Sequence, residues 1–213
     1  MSRPEQTKQL LADSLKKLVT KKPLAKISIG DITAEAGVNR QTFYYHFLDK
    51  QDLVCWIFDR DVGLIAGYDV EDTSPPEERS MLDEHGLLRN DGKILDDVIE
   101  YLYSERAFYV EALTSDVQND LREHIYTVSY RVFTRDLATL LGARQMTLEA
   151  LQTFTRFFTH AITGTLVQWA QEGMKQDHIE MARKYGPIIH EQLLFVIDQH
   201  SALEPEDDSE AEA

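Results

Sequence analysis

The sequence holds one cysteine, Cys55, among 213 residues. An internal disulfide is impossible, which fits a reducing compartment and leaves the fold to packing alone. No run approaches the roughly 18 apolar residues of a membrane span. The opening MSRPEQTKQLL lacks the apolar stretch of a secretory signal, so a cytoplasmic protein is expected. The seven histidines form neither His-x-x-x-His nor His-Glu-x-x-His, and no tandem Cys/His spacing occurs, so no metal is expected. No phosphate loop, dinucleotide fingerprint or nucleophile elbow is present, and neither a cofactor nor an enzymatic activity is expected. The alternation of a half-buried strand is missing, as is any internal repeat. Positive charge is scarce: 22 Lys and Arg stand against 37 Asp and Glu, a net −15. Taken whole, that balance speaks against a polyanionic partner.

The charge is unevenly placed. Residues 1–50 hold nine basic side chains and five acidic ones, a net +4, and the remaining chain carries −19. A small basic head on an acidic body confines any polyanion to the head.

Apolar spacing is helical nearly throughout. Leu10, Leu11, Leu15, Leu18 and Val19 mark a first helix that stops before Pro23. Ser28, with Asp31 three residues on, reads as a capping box, and Gly37 as the stop of that short helix. Asn39 caps a helix over roughly 40–46, and Asp49 caps the next. Residues 51–66 are apolar nearly all round and form a connecting helix between head and body. Residues 67–92 form an acidic loop. The body spans 93–200. Its Ser115-x-x-Gln118 and Asp177-x-x-Glu180 are capping boxes, Thr147 is a cap, and Pro187 predicts a kink or restart. Residues 201–213 are an acidic, disordered tail. The fold class expected is all-α.

Function is concentrated in SIGDITAEAGVNRQTFYYHFLDKQD, residues 28–52. Two short helices joined by a tight turn at Gly37 make a helix-turn-helix over about 28–47. Val38, Phe43 and Phe47 point inward. Arg40, Gln41, Thr42, Tyr44, Tyr45 and His46 lie outward on a helix too short to need them for stability. Such groups can reach base edges and hold phosphates. Ser28 and Lys50 sit at helix N-termini, where backbone N–H groups favour an anion.

At Gly37, Val38, Thr42, Phe43, Tyr44, His46, Phe47, Asp49, Lys50 and Leu53 the chain resembles the TetR family of transcription regulators, over residues 8–58. The run RQTFYYHFLDKQDLVCWIF also looks like the subgroup that regulates dihydroxyacetone kinase operons. The resemblance implies a homodimer whose three N-terminal helices bind double-stranded operator DNA. Thr42, Tyr44, Tyr45, His46 and Lys50 are then DNA contacts, joined by Ser28 on the ground of its helix N-terminus, and Arg40 and Gln41 are the variable base readers. It also implies a helical body that senses a small-molecule effector or a protein co-regulator. Phe158, Ile162, Trp169, Ile189, Leu193 and Val196, in the last two long helices, are the expected dimer contacts. The alternative is a helical ligand-binding or adaptor protein that has lost operator binding.

Overall fold

Helix α1 (Arg3–Val19) buries Leu11, Ala12, Ser14, Leu15, Leu18 and Val19 along one side. It ends ahead of Pro23, which has no N–H to continue the ladder. The computed structural model describes residues 3–66, 93–114, 119–142 and 144–203. The acidic stretch 67–92, the Ser115-x-x-Gln118 box and residues 204–213 lie outside them.

A 3-10 turn at Leu24–Lys26 leads to α2 (Ile29–Glu35) and α3 (Arg40–His46). Both helices carry the caps read from the sequence. Ser28 Oγ accepts from the Asp31 N–H at 3.2 Å, and the Asp31 carboxylate accepts from the Ser28 N–H at 2.8 Å. Asn39 Oδ1 accepts from the Thr42 N–H at 2.7 Å. Gly37 turns the chain between them at φ +67°, a conformation that strains any residue with a Cβ. The connecting helix α4 (Lys50–Ala66) starts at Asp49, whose Oδ1 accepts from the Asp52 N–H at 2.9 Å.

The body holds α5 (Lys93–Ser104), α6 (Arg106–Thr114), α7 (Asn119–Leu141), α8 (Leu148–Gln171) and α9 (His178–His200). Thr147 and Asp177 cap α8 and α9 as expected. One apolar core runs from α1 through α4 into the body. Leu11, Leu15, Ile32, Phe43, Leu53, Ile57, Leu102, Phe108 and Leu113 are among its fully or nearly fully buried members. No helix of the described residues is long and apolar enough to cross a membrane.

Three expectations change here. First, α9 continues through Pro187 rather than restarting. Pro187 lies on the exposed flank of the helix, where water can serve the carbonyl that loses its partner. Second, the tail does not begin at 201. The Ser201 N–H and hydroxyl both bond to the Ile197 carbonyl, closing α9. Ala202–Leu203 (β2) then pairs antiparallel with Arg144–Gln145 (β1). A two-residue ladder is too short to leave an alternating pattern.

Third, most of the stripe expected at a partner is buried within the protomer. Phe158, Ile162, Trp169 and Val196 are buried within the protomer, and Ile189 and Leu193 are half-buried against its core. Phe158 stacks on Phe133, and Trp169 stacks on Tyr103 and donates its indole N–H to the Gln176 carbonyl. The large apolar side chains that α8 and α9 leave exposed are Leu148, Phe157, Ile179, Ile188, Leu194 and Phe195. Phe108 and Tyr109 of α6 are core as well. An open cleft of about 380 Å³ on α5 is lined by Asp97, Glu100, Tyr101 and Ser104.

Candidate nucleic-acid interface

Helix α3 has seven residues, and its inner side is anchored by Phe43, which is completely buried. Phe47, the residue that ends the helix, is buried beside it and packs on Trp56 of α4 at 5.8 Å between ring centres. This places the rest of the turn-and-helix outward by geometry. Arg40 and Gln41 are exposed. Tyr44 is 58% and Tyr45 79% exposed. Two tyrosines left largely in water on so short a helix sit beside the groups best suited to read base edges. Thr42 is half-buried, its hydroxyl turned back to Asn39 Oδ1 at 3.0 Å.

Arg40 folds back over α2. A Cβ placed on Gly30 would meet its guanidinium at 2.5 Å, so the bare glycine makes room for it. The guanidinium is the far end of a flexible side chain and is free to swing outward.

His46 is half-buried at the end of α3 and packs edge-on to Tyr45. Burial and the nearby charge of Lys8 push its pKa down, so the ring is neutral at neutral pH. Ser28 is occupied by its cap. Its hydroxyl donates to Asp31 Oδ2 at 2.7 Å. These Ser28 bonds, with Lys22 at 2.9 Å, hold the Asp31 carboxyl well below the usual carboxylate range. Lys17 and Lys21 are drawn to Glu35.

Lys50, expected at a phosphate, is engaged within the head. Its Nζ donates to the Leu24 carbonyl at 2.7 Å and the Ile27 carbonyl at 2.9 Å. It ties the start of α4 to the turn before α2.

Two features escaped the sequence reading. Leu48, in the turn after α3, is 84% exposed beside the tyrosines; its N–H is held by Asp52 Oδ2 at 2.8 Å. Asp61 is buried in α4. An acid within so apolar a helix was the available signal, since a buried carboxylate must have partners.

Residues 12–55 match the family model of the bacterial regulatory proteins, tetR family. Residues 92–191 match that of a transcriptional regulator C-terminal region of the same family. The chain is 36% identical over 55 residues to the HTH-type dhaKLM operon transcriptional activator DhaS of Lactococcus lactis subsp. lactis (strain IL1403). That alignment spans 26% of this chain and 29% of the relative, less than a third of either. The solved structure of a dihydroxyacetone kinase operon activator DhaS superposes with a TM-score of 0.65 at 19% identity. It covers 92% of this chain and 98% of that one.

Proposed function

The chain belongs to the TetR family of bacterial regulatory proteins, and from that premise we propose that it is a dimeric, effector-gated regulator that binds a two-fold operator. The observation that carries the reading is the outward set Arg40, Gln41, Tyr44 and Tyr45 on a helix locked from behind by Phe43. One such helix reads about 4–5 base pairs, so useful affinity needs two half-sites about 34–36 Å apart. The second head comes from a second copy. Phe157 on α8, followed by the exposed Ala161 and Gly164, and Ile188, Leu194 and Phe195 on α9 supply an apolar face for it. A Cβ on Gly164 would meet nothing within 4 Å, so a partner helix has room to approach there. The −19 of the remaining chain keeps the rest of the molecule off the duplex.

The likeness to the Lactococcus lactis activator spans 55 residues, 26% of this chain. So short a match leaves the effector unassigned. Gating is supported by α4, which buries Leu53, Val54, Ile57, Phe58 and Val62 and so packs on head and body together.

The test is selection of duplexes from a random pool by the full chain, followed by gel shifts. A palindromic consensus is the expected result; a pool that enriches no sequence overturns the reading. Alanine at Arg40 or Gln41 should change the preferred bases at one position of each half-site. The expected cost is about 1–3 kcal/mol per lost base contact, with binding to random duplex unchanged. Selection repeated with each variant checks this.

His46 gives a pH signature. Its pKa lies below the ordinary value in the free protein, so at neutral pH the ring is uncharged. A phosphate brought beside it favours the charged form and raises that pKa. Binding then takes up a proton, and operator affinity should rise as pH falls from 7 towards 6. His46→Gln should flatten that dependence. A parent protein whose affinity ignores pH in this window removes His46 from the phosphate contacts.

A further inference from the structure

Polar groups that the DNA-reading face does not use gather where the head meets the body. Asp61 of α4 is 2% exposed. Its Oδ2 lies 3.0 Å from Lys16 Nζ of α1 and accepts from the Tyr109 hydroxyl of α6, also at 3.0 Å. Its Oδ1 accepts from Arg60 Nε at 3.0 Å, and another arm of that guanidinium reaches Gln9 of α1. Lys16 continues to the Tyr101 hydroxyl of α5 at 3.0 Å and to the Glu105 carboxylate at 3.3 Å. Tyr109 is completely buried. Two cations and two anions thus meet in one cluster to which α1, α4, α5 and α6 all contribute.

The protonation states suit it. Burial works against the charge on Lys16, but Tyr101 and Asp61 outweigh it and the amine stays charged. Burial, reinforced by Asp61, pushes the Tyr109 phenol well up, so the proton it donates to Asp61 is retained.

Helices in apolar contact can slide a little with small loss. A buried carboxylate that parts from its ammonium or phenol cannot be rehydrated without opening the core. A displacement of α6 must therefore carry Asp61, and α4 with it. Lys16 binds α1 to the same carboxylate oxygen, and α1 packs directly on α2 and α3.

We propose that Asp61, with Lys16 and Tyr109, is a charged joint that makes α1 and α4 follow the body, so that movement of α6 reaches the DNA-reading helix. These are positioning residues, since none lies on the outward side of α3. The part of the proposal that concerns operator affinity rests on the regulator reading above; the mechanical part does not.

The experiment uses the full chain and Tyr109→Phe, which removes one hydroxyl. Amide hydrogen exchange is followed in α2 and α3 without DNA, and operator affinity on a duplex selected by the parent. Faster exchange in α2 and α3 is expected, together with binding weaker by about fivefold or more, the lower end of ordinary coupling between sites. Lys16→Met should reproduce both effects. The double variant should bind no more weakly than the weaker single, because both break one joint. Additive losses overturn the proposal. So does exchange that quickens only in α6 while operator affinity stays at the parental value. Asp61→Asn is the direct variant; should it fail to fold, Tyr109→Phe and Lys16→Met still decide. If the parent selects no duplex, the regulator reading fails, and the exchange measurement alone decides the joint.

Discussion

Phe157→Asp should turn the protein into a folded monomer that no longer holds its operator. Phe157 is 67% exposed in the protomer, so a charge there costs the fold almost nothing. In a dimer built on α8 and α9 the same charge enters an apolar interface of on the order of 2,000 Å² or more. A single head keeps one half-site and loses the avidity of two, which is typically worth a factor of 10² to 10⁴. Light scattering should therefore report half the parental mass. Gel shifts should show operator affinity lower by about 100-fold or more. Phe158→Asp, one residue on, is the contrasting variant. Phe158 is 4% exposed and stacks on Phe133, so its aspartate should lower the melting temperature or leave the chain unfolded. A Phe157→Asp protein that still elutes and scatters as a dimer would refute this interface.

Lys50→Ala should weaken the head from within. The two main-chain carbonyls it serves belong to Leu24 and Ile27, both buried residues. Leu24 O also accepts the Ile27 N–H at 3.1 Å and keeps that partner. Losing a charged donor from such carbonyls typically costs about 1–3 kcal/mol. In a chain of this size that corresponds to a fall in melting temperature of about 2–4 °C per kcal/mol. Calorimetry of parent and variant measures it. The salt dependence of operator binding separates this role from a phosphate contact. A lysine that neutralises a phosphate takes about one unit off the log–log slope when removed. A strut weakens binding with the slope preserved. Preserved slope with a lowered melting temperature is the result expected here; a lost unit of slope with unchanged melting would assign Lys50 to the phosphate instead.

Neighbouring residues settled much of this fold before any packing is considered. Ser28 with Asp31, Asn39 with Thr42 and Asp49 with Asp52 are bonds made within three positions of the chain. Their chemistry is legible wherever a capping residue precedes an apolar run. The same holds for the stop at Gly37 and for the outward set of α3, because seven residues around one large buried aromatic leave few ways to face.

Packing between distant segments decided the rest. The last two helices are apolar over more than one stripe. A step of one residue rotates a side chain by about 100°, so Phe157 and Phe158 are alike in the sequence and opposite in the structure. Lys50 reads as a cation at a helix start until the turn at Leu24–Ile27, 26 and 23 residues earlier, is folded against it. Asp61 meets Lys16 across 45 residues and Tyr109 across 48. Local propensity holds no record of such partners. A buried charge requires some partner, but which one is set by the path of the whole chain, and here that path brings α1, α4 and α6 to one carboxylate.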